Sequence, residues 1–114
     1  MMLNDCIFCA ILAGEIPSKK VYEDDYVFAF RDINPQAPVH ILVVPKKHIA
    51  CAADLTEADG ATVGHIFAVA AELARAEGLS SYRVVTNSGA DAGQTVQHLH
   101  FHLLGGRKLA VEMA

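Results

Sequence analysis

At 114 residues the chain has the length of one domain, 1–114, long enough to bury a core without disulfide staples. Hydrophobic residues make up 53% of it but fall in short alternating runs, so no bilayer-spanning stretch and no signal peptide is expected. The net charge of −4 argues against a basic surface for long nucleic acid, and the three cysteines without an export signal point to a reducing cytoplasm.

In chain order, residues 6–14 read as a short helix closed by Gly14, with Asn4 and Asp5 as caps. Pro17 marks a connector. Val21 to Glu23 and Tyr26 to Phe30 read as strands around the acidic turn Asp24-Asp25. Asp32 to Pro38 is a proline-containing loop. Val39 to Val44 is a β-branched strand that ends at Pro45 and carries one histidine, His40, and Lys46-Lys47-His48 is its polar exit. Thr56 caps a long helix whose apolar stripe is Val63, Ile66, Phe67, Ala70, Leu73 and Ala74, running to Gly78. His65 lies off that stripe and reads as a surface residue. Tyr82 to Asn87 is a further strand, and residues 88–95 form a small, polar, glycine-containing loop.

That loop feeds the most informative stretch, Gln97 to Gly106, where apolar residues alternate with histidines. Alternation predicts a strand with Leu99, Phe101 and Leu103 on a core face and His98, His100 and His102 on the other. Half of the chain's six histidines stand in this row. A solvated strand face would carry a mixture of Lys, Thr and Glu instead. Side chains two apart on a strand lie roughly 6.6 Å apart and those four apart about 13 Å, so all three imidazoles cannot ligate one metal. The row therefore reads as a central residue, His100, with a different neighbour on each side. The sum is an α+β domain, an antiparallel sheet with one long and one short helix, and so small a sheet would gain from dimerisation across an edge.

The chemistry of these residue types points to a small anionic ligand. Gly89 and Gly93 allow backbone N–H groups to approach a ligand closely, and Asn87, Gln94 and Thr95 add neutral donors. An imidazole with an ordinary pKa of about 6.5 is a nucleophile at neutral pH. Attack on phosphorus would give a covalent phospho-histidine and split one displacement into two. For the loop taken alone, a plain β-turn connection would be the preferred reading.

The run His98-Leu99-His100-Phe101-His102-Leu103-Leu104 resembles the histidine-triad pattern. The likeness extends through Asp32 to His40, Val44 to Ile49, Gly93 to Val96 and Gly105-Gly106-Arg107, in the order of the Hint-like branch of the histidine-triad superfamily. The resemblance implies a domain that dimerises through its long helix and one strand into a continuous two-subunit sheet. It implies a purine nucleotide substrate, an AMP derivative, with His100 as nucleophile, His102 on the α-phosphate, and His98 and His40 completing the catalytic group. Asp32 would accept the ribose hydroxyls, and Ile33, Phe8 and Phe30 would line the base pocket. Asn87, Gly93, Gln94 and Thr95 would form the phosphate loop, with Thr95 where many relatives have Ser. Family activities include nucleoside phosphoramidase, dinucleotide polyphosphate hydrolase and acyl-adenylate hydrolase; the Hint-like flanks favour the first, acting on AMP-NH2 or an AMP-lysine adduct. A nucleotide-binding module with little turnover is the alternative. The tail, residues 108–114, contains no tryptophan and transfers no leaving-group preference.

Cys6-x-x-Cys9 leaves three readings open from its residues: a redox pair, two unrelated buried thiols, or half of a zinc site. Many bacterial proteins of the resembling type bind zinc through two cysteines and two histidines, which implies Cys6, Cys9, His48 and His98. Four protein ligands would make such a site structural. Cys51 has no partner in this scheme.

Overall fold

The computed structural model describes residues 6–111. Two helices, α1 (Ile7–Leu12) and α2 (Gly60–Ala76), accompany five strands: β1 (Lys20–Glu23), β2 (Val27–Arg31), β3 (Val39–Pro45), β4 (Tyr82–Val85) and β5 (Phe101–Gly105). The strands form one antiparallel sheet in the order β1-β2-β3-β5-β4. No helix among the described residues is long and apolar enough to cross a membrane.

Strand parity divides the core into two layers, because alternate side chains leave opposite faces of a sheet. Val27, Ala29, Ile41, Val43, Phe101 and Leu103 pack against Ile66, Val69, Leu73 and Ala74 of α2. Phe28, Phe30, Leu42 and Val44 pack on the other face against Cys6 and Phe8 of the α1 segment. His40 and His102 share the parity of this second layer, with Leu42 directly opposite His102 and His40 opposite Leu104. Helix α2 thus covers one face, whereas the short α1 segment covers the other only over β2 and β3, and β1 and β4 are the two outer strands.

Helix α1 is capped by Cys6, whose Sγ accepts from the Cys9 N–H at 3.3 Å; the expected caps Asn4 and Asp5 lie outside the described residues. It ends at Leu12 with Ala13 as its C-cap, and Gly14 follows in left-handed conformation at φ 78°. At the start of α2 Thr56 and Asp59 form a reciprocal capping box, with Thr56 N–H donating to Asp59 Oδ2 at 3.0 Å.

Three expectations from spacing are corrected. Phe67 is 49% exposed and Val69 takes the core position instead, because the buried arc of α2 is centred on Ile66, Val69, Ala70 and Leu73. His65 is half-buried and paired through Nε2 with Asp24 Oδ2, which also accepts from Tyr22 OH at 2.7 Å. The third correction concerns the histidine row. Its ladder begins only at Phe101, because Leu99 N–H is taken by Ile49 O at 2.6 Å and His98 lies in a bend. Leu99 nevertheless reaches the core.

Close approach fixes the end of β5. Gly106 has φ 101°, and a Cβ there would lie 2.9 Å from Pro38 Cβ. Gly106→Ala is therefore expected to cost about 2 kcal/mol, a fall in Tm of roughly 8 °C by differential scanning calorimetry.

Candidate active site and metal centre

The polar residues of the α1-side layer are not a solvated face: His98 is 0% exposed, His100 6% and His40 5%. Burial at this level requires each ring nitrogen to be accounted for. The backbone groups around them have fixed donor or acceptor character and therefore set the tautomers. His100 Nδ1–H donates to the carbonyl of His98 at 2.7 Å, which leaves Nε2 as the lone-pair nitrogen. The Gln36 N–H donates to His40 Nδ1 at 3.0 Å, so in neutral His40 the proton sits on Nε2. That Nε2–H donates to His102 Nδ1 at 2.9 Å. His102 then carries its own proton on Nε2, as a donor. The rings of His100 and His102 are 5.1 Å apart. One imidazole thus offers a lone pair and its neighbour offers an N–H, the pairing required to attack a phosphorus and hold its oxygen.

Three other contacts hold this pair. Phe8 of α1 sets its ring edge-on to His100 at 5.1 Å and to Phe30 at 5.5 Å. Thr86 Oγ1 donates to the His100 carbonyl at 2.7 Å. The chain leaves β4 at Val85, earlier than alternation suggested, and that hydroxyl replaces the ladder there. Asp32 Oδ2 lies 3.4 Å from His40 Nε2, and Asp32 Oδ1 accepts from Asn34 N–H at 2.8 Å.

Burial pushes the pKa of His102 down to about 4, with neighbouring His100 and His40 acting in the same sense. His40 is lowered too, again by burial, with Asp32 opposing. Both rings are therefore neutral at pH 7. Unfolded histidine titrates near 6.5, so between that value and about 4 the unfolded chain binds more protons than the folded one. Stability is expected to be full above pH 6.5 and to fall as pH drops through this window. Urea denaturation at pH 7.5, 6 and 5 measures it, and His102→Asn should flatten the slope.

A recess of about 290 Å³ opens beside His40, lined by Lys19, Arg31, Asp32, Ile33, Pro35 and Pro38. Ile33 is 99% exposed on its rim, an apolar side chain with nothing over it. Phe8 and Phe30 are not among its lining residues; both are buried in the layer that carries the histidines.

The loop before His98 has glycines at φ 94° (Gly89) and 96° (Gly93), with Asn87 Nδ2 beside Gly93. Thr95 is exposed and Asn87 half-buried. Gln94 differs from expectation. Its two amide hydrogens go to Ala50 O (2.7 Å) and Val96 O (2.9 Å), and its Oε1 accepts from Gly89 N–H (2.8 Å). It braces the loop and has no N–H left for a ligand.

Cys6, Cys9, His48 and His98 converge, with one ligand atom from each within 4.8 Å of all the others. Cys9 Sγ is 3.2 Å from His48 Nδ1, Cys6 Sγ is 3.4 Å from His98 Nδ1, and the two Nδ1 atoms are 3.2 Å apart. A tetrahedral zinc site has N···N edges of about 3.4 Å and S···N edges of about 3.5 Å. His98 Nε2–H donates to Pro45 O at 2.9 Å, so its Nδ1 lone pair faces the cluster, as a metal ligand requires. Burial and the adjacent Cys6 push the Cys9 thiol up to about 11, and a cation at the centre would reverse this. The four residues form a Cys2His2 group compatible with zinc. Asp32, His40 and His102 also cluster, but there an N–H already lies between the two rings, which is a hydrogen-bond network and not a ligand cage.

A family model described as the HIT domain matches residues 13–109. The chain belongs to the HIT domain family. Among its relatives, the purine nucleoside phosphoramidase of Escherichia coli is 44% identical, the match covering 99% of this chain and 97% of that protein. Among solved structures, a histidine triad protein from Clostridium difficile superposes with a TM-score of 0.93 at 50% identity, covering 99% and 100% of the two chains. A HIT family hydrolase from Legionella pneumophila gives 0.92 at 50% identity, covering 94% and 97%. The five-stranded α+β fold is that of HIT structures.

Four groups in this HIT domain escaped the sequence reading: the Gln36 N–H, the Pro45 carbonyl, the Thr86 hydroxyl and the Arg107 guanidinium, which donates to Gln36 O at 2.8 Å. The first two are backbone groups and carry no side-chain signal at all. Gly105-Gly106-Arg107 was visible as a motif, without a role.

Proposed function

We propose that this HIT protein is a hydrolase acting at the α-phosphorus of purine nucleoside 5′-phosphoramidates, of the AMP-NH2 or AMP-lysine type, through a covalent nucleotidyl-histidine. The observation that carries the reading is the opposed tautomer pair, His100 with a bare Nε2 beside His102 with Nε2–H. The names of the phosphoramidase and hydrolase relatives support it. His100 Nε2 attacks the α-phosphorus as the P–N bond of the substrate breaks, and the leaving amine takes a proton from solvent. Water then attacks the same phosphorus and gives up a proton to solvent as the bond to His100 breaks, which restores the Nε2 lone pair, and the nucleoside monophosphate departs. His102 Nε2–H holds a non-bridging oxygen, a donor of the kind worth about 3 kcal/mol of barrier. Asp32 accepts the ribose hydroxyls and Ile33 covers the base, with Phe8 and Phe30 as apolar backing. Gly93, Thr95 and Asn87 surround the phosphate, and Gln94 keeps their loop in shape.

Zinc on Cys6, Cys9, His48 and His98 would serve as a structural clamp, its four positions filled by protein. A homodimer through β4 is part of the same proposal. β4 is an outer strand of the sheet, and Tyr82 on it and Phe67 on α2 are 44% and 49% exposed. Light scattering at micromolar concentration should give twice the chain mass; the mass of one chain would remove the dimer.

Turnover of a fluorogenic adenosine phosphoramidate, set against a dinucleotide polyphosphate at equal concentration, tests the function. Faster release of the amine supports the phosphoramidase reading. A preference for the polyphosphate moves it to that hydrolase class, and AMP binding with neither activity to a binding module.

A further inference from the structure

We infer that Arg107 is a positioning residue for the histidine pair, acting through the backbone of Gln36. The inference rests on the hydrolase reading above, since it assigns a role in preparing His102 for that chemistry.

The tautomer of His102 is fixed only at the end of a chain of hydrogen bonds. His102 Nδ1 accepts from His40 Nε2–H at 2.9 Å, and His40 Nδ1 accepts from Gln36 N–H at 3.0 Å. The assignment thus depends mainly on one backbone N–H, in an exposed loop between two prolines, with the more distant Asp32 Oδ2, 3.4 Å from His40 Nε2, acting in the same sense. That loop has few ties of its own: Gln36 Nε2 donates to Asn34 O at 3.0 Å, within the same loop. Its anchor to the body of the sheet comes from the exit of β5. Arg107 Nη2 donates to Gln36 O at 2.8 Å, and Gly106 brings the backbone against Pro38 so closely that no Cβ would fit. Arg107 Nη1 donates to the carbonyl of Lys108 at 3.1 Å, which holds the guanidinium in place without drawing it from Gln36.

Each link sets the next. With Gln36 held, His40 cannot place a proton on Nδ1 without losing an N–H bond at a buried nitrogen, and so must present Nε2–H to His102. Without Arg107 the loop can swing, the N–H leaves His40, and only the longer contact to Asp32 Oδ2 still favours Nε2–H, so the second tautomer of His40 becomes available. His102 would then lose its assigned donor, and part of the population would present Nε2 as a lone pair, facing phosphate oxygen with repulsion instead of a hydrogen bond. Asp32 would be spared, because its N–H is tied to His40 O at 3.0 Å by the strand-end ladder. The ribose contact is therefore kept, while Ile33, in the same loop, shifts with it.

Arg107→Ala is expected to lower kcat by about tenfold, with the smaller rise of about threefold in KM for the phosphoramidate and in Kd for AMP that a shifted Ile33 would give. Arg107→Lys, which keeps one donor for the Gln36 carbonyl, should recover part of kcat. The side-chain ¹⁵N spectrum supplies a readout that needs no substrate. Wild type should show His40 and His102 each as a single Nε2–H tautomer, and Arg107→Ala a mixture at both. Unchanged tautomers in Arg107→Ala, or a loss of activity confined to KM, would overturn the inference. If wild type turns over no nucleotide yet the tautomers mix in the variant, the relay stands and it is the hydrolase reading that fails.

Discussion

Replacement of His100 by alanine is expected to reduce phosphoramidate turnover at least about 10⁴-fold while AMP still binds. No neighbouring imidazole can take over. His98 has Nε2 on the Pro45 carbonyl and Nδ1 in the cysteine cluster. His40 has both nitrogens occupied, and the lone pair of His102 is directed at His40. AMP affinity should hold within about threefold, since Asp32, Ile33 and the glycine loop are untouched and only one of several phosphate contacts is lost. His100 is 6% exposed and backs on to Phe8, so the truncation leaves a gap. His100→Asn, which retains a donor for the His98 carbonyl, is the paired variant that separates lost chemistry from lost packing. Stopped assays and calorimetric AMP titration measure both quantities. Wild-type-like rates in either variant would remove the nucleophile assignment.

The second large effect is expected at the cysteines. Helix α1 has six residues, too few to persist on its own, and is held by Phe8, Ala10 and the Cys2His2 group. Cys9→Ala should abolish binding of one zinc per chain and destabilise the fold by at least about 3 kcal/mol, a fall in Tm of about 12 °C. The loss stays well below the ~10–16 kcal/mol of zinc-dependent peptides because the layer between the sheet and α2 contains none of the four ligands. Turnover should fall far less than in His100→Ala, through Phe8, whose ring packs on His100. Atomic emission on protein purified without a histidine tag measures the metal, and calorimetry the stability. Absence of zinc from wild type would count directly against the clamp.

The alternating histidine row was readable from sequence because strand parity is a local property, and so were both glycine-terminated helices and the apolar β3 with its single His40. What could not be read depended on partners distant in sequence. His65 pairs with Asp24, 41 residues away, and nothing in the helix spacing announces it. The histidine strand begins late because Ile49 O captures the Leu99 N–H, a choice made by a neighbouring segment. Gln94 has the composition of a ligand donor, and only its three hydrogen bonds reveal a brace. The Cys2His2 group could be assembled from the sequence only through family resemblance, since Cys6 and Cys9 leave the remaining ligands open; the structure brings all four together. The tautomers that give His100 and His102 opposite roles are set by the His98 carbonyl and the Gln36 N–H, backbone groups that carry no side-chain signature.

The central claim, a covalent intermediate on His100, is tested most directly by intact mass of an acid-quenched, single-turnover reaction with an adenosine phosphoramidate, followed by peptide mapping. The account predicts a transient species heavier by one nucleoside monophosphate, with the adduct on the peptide bearing His100, and none in His100→Ala. Amine release at full rate with no adduct at any quench time would mean that water attacks phosphorus directly, and would contradict it.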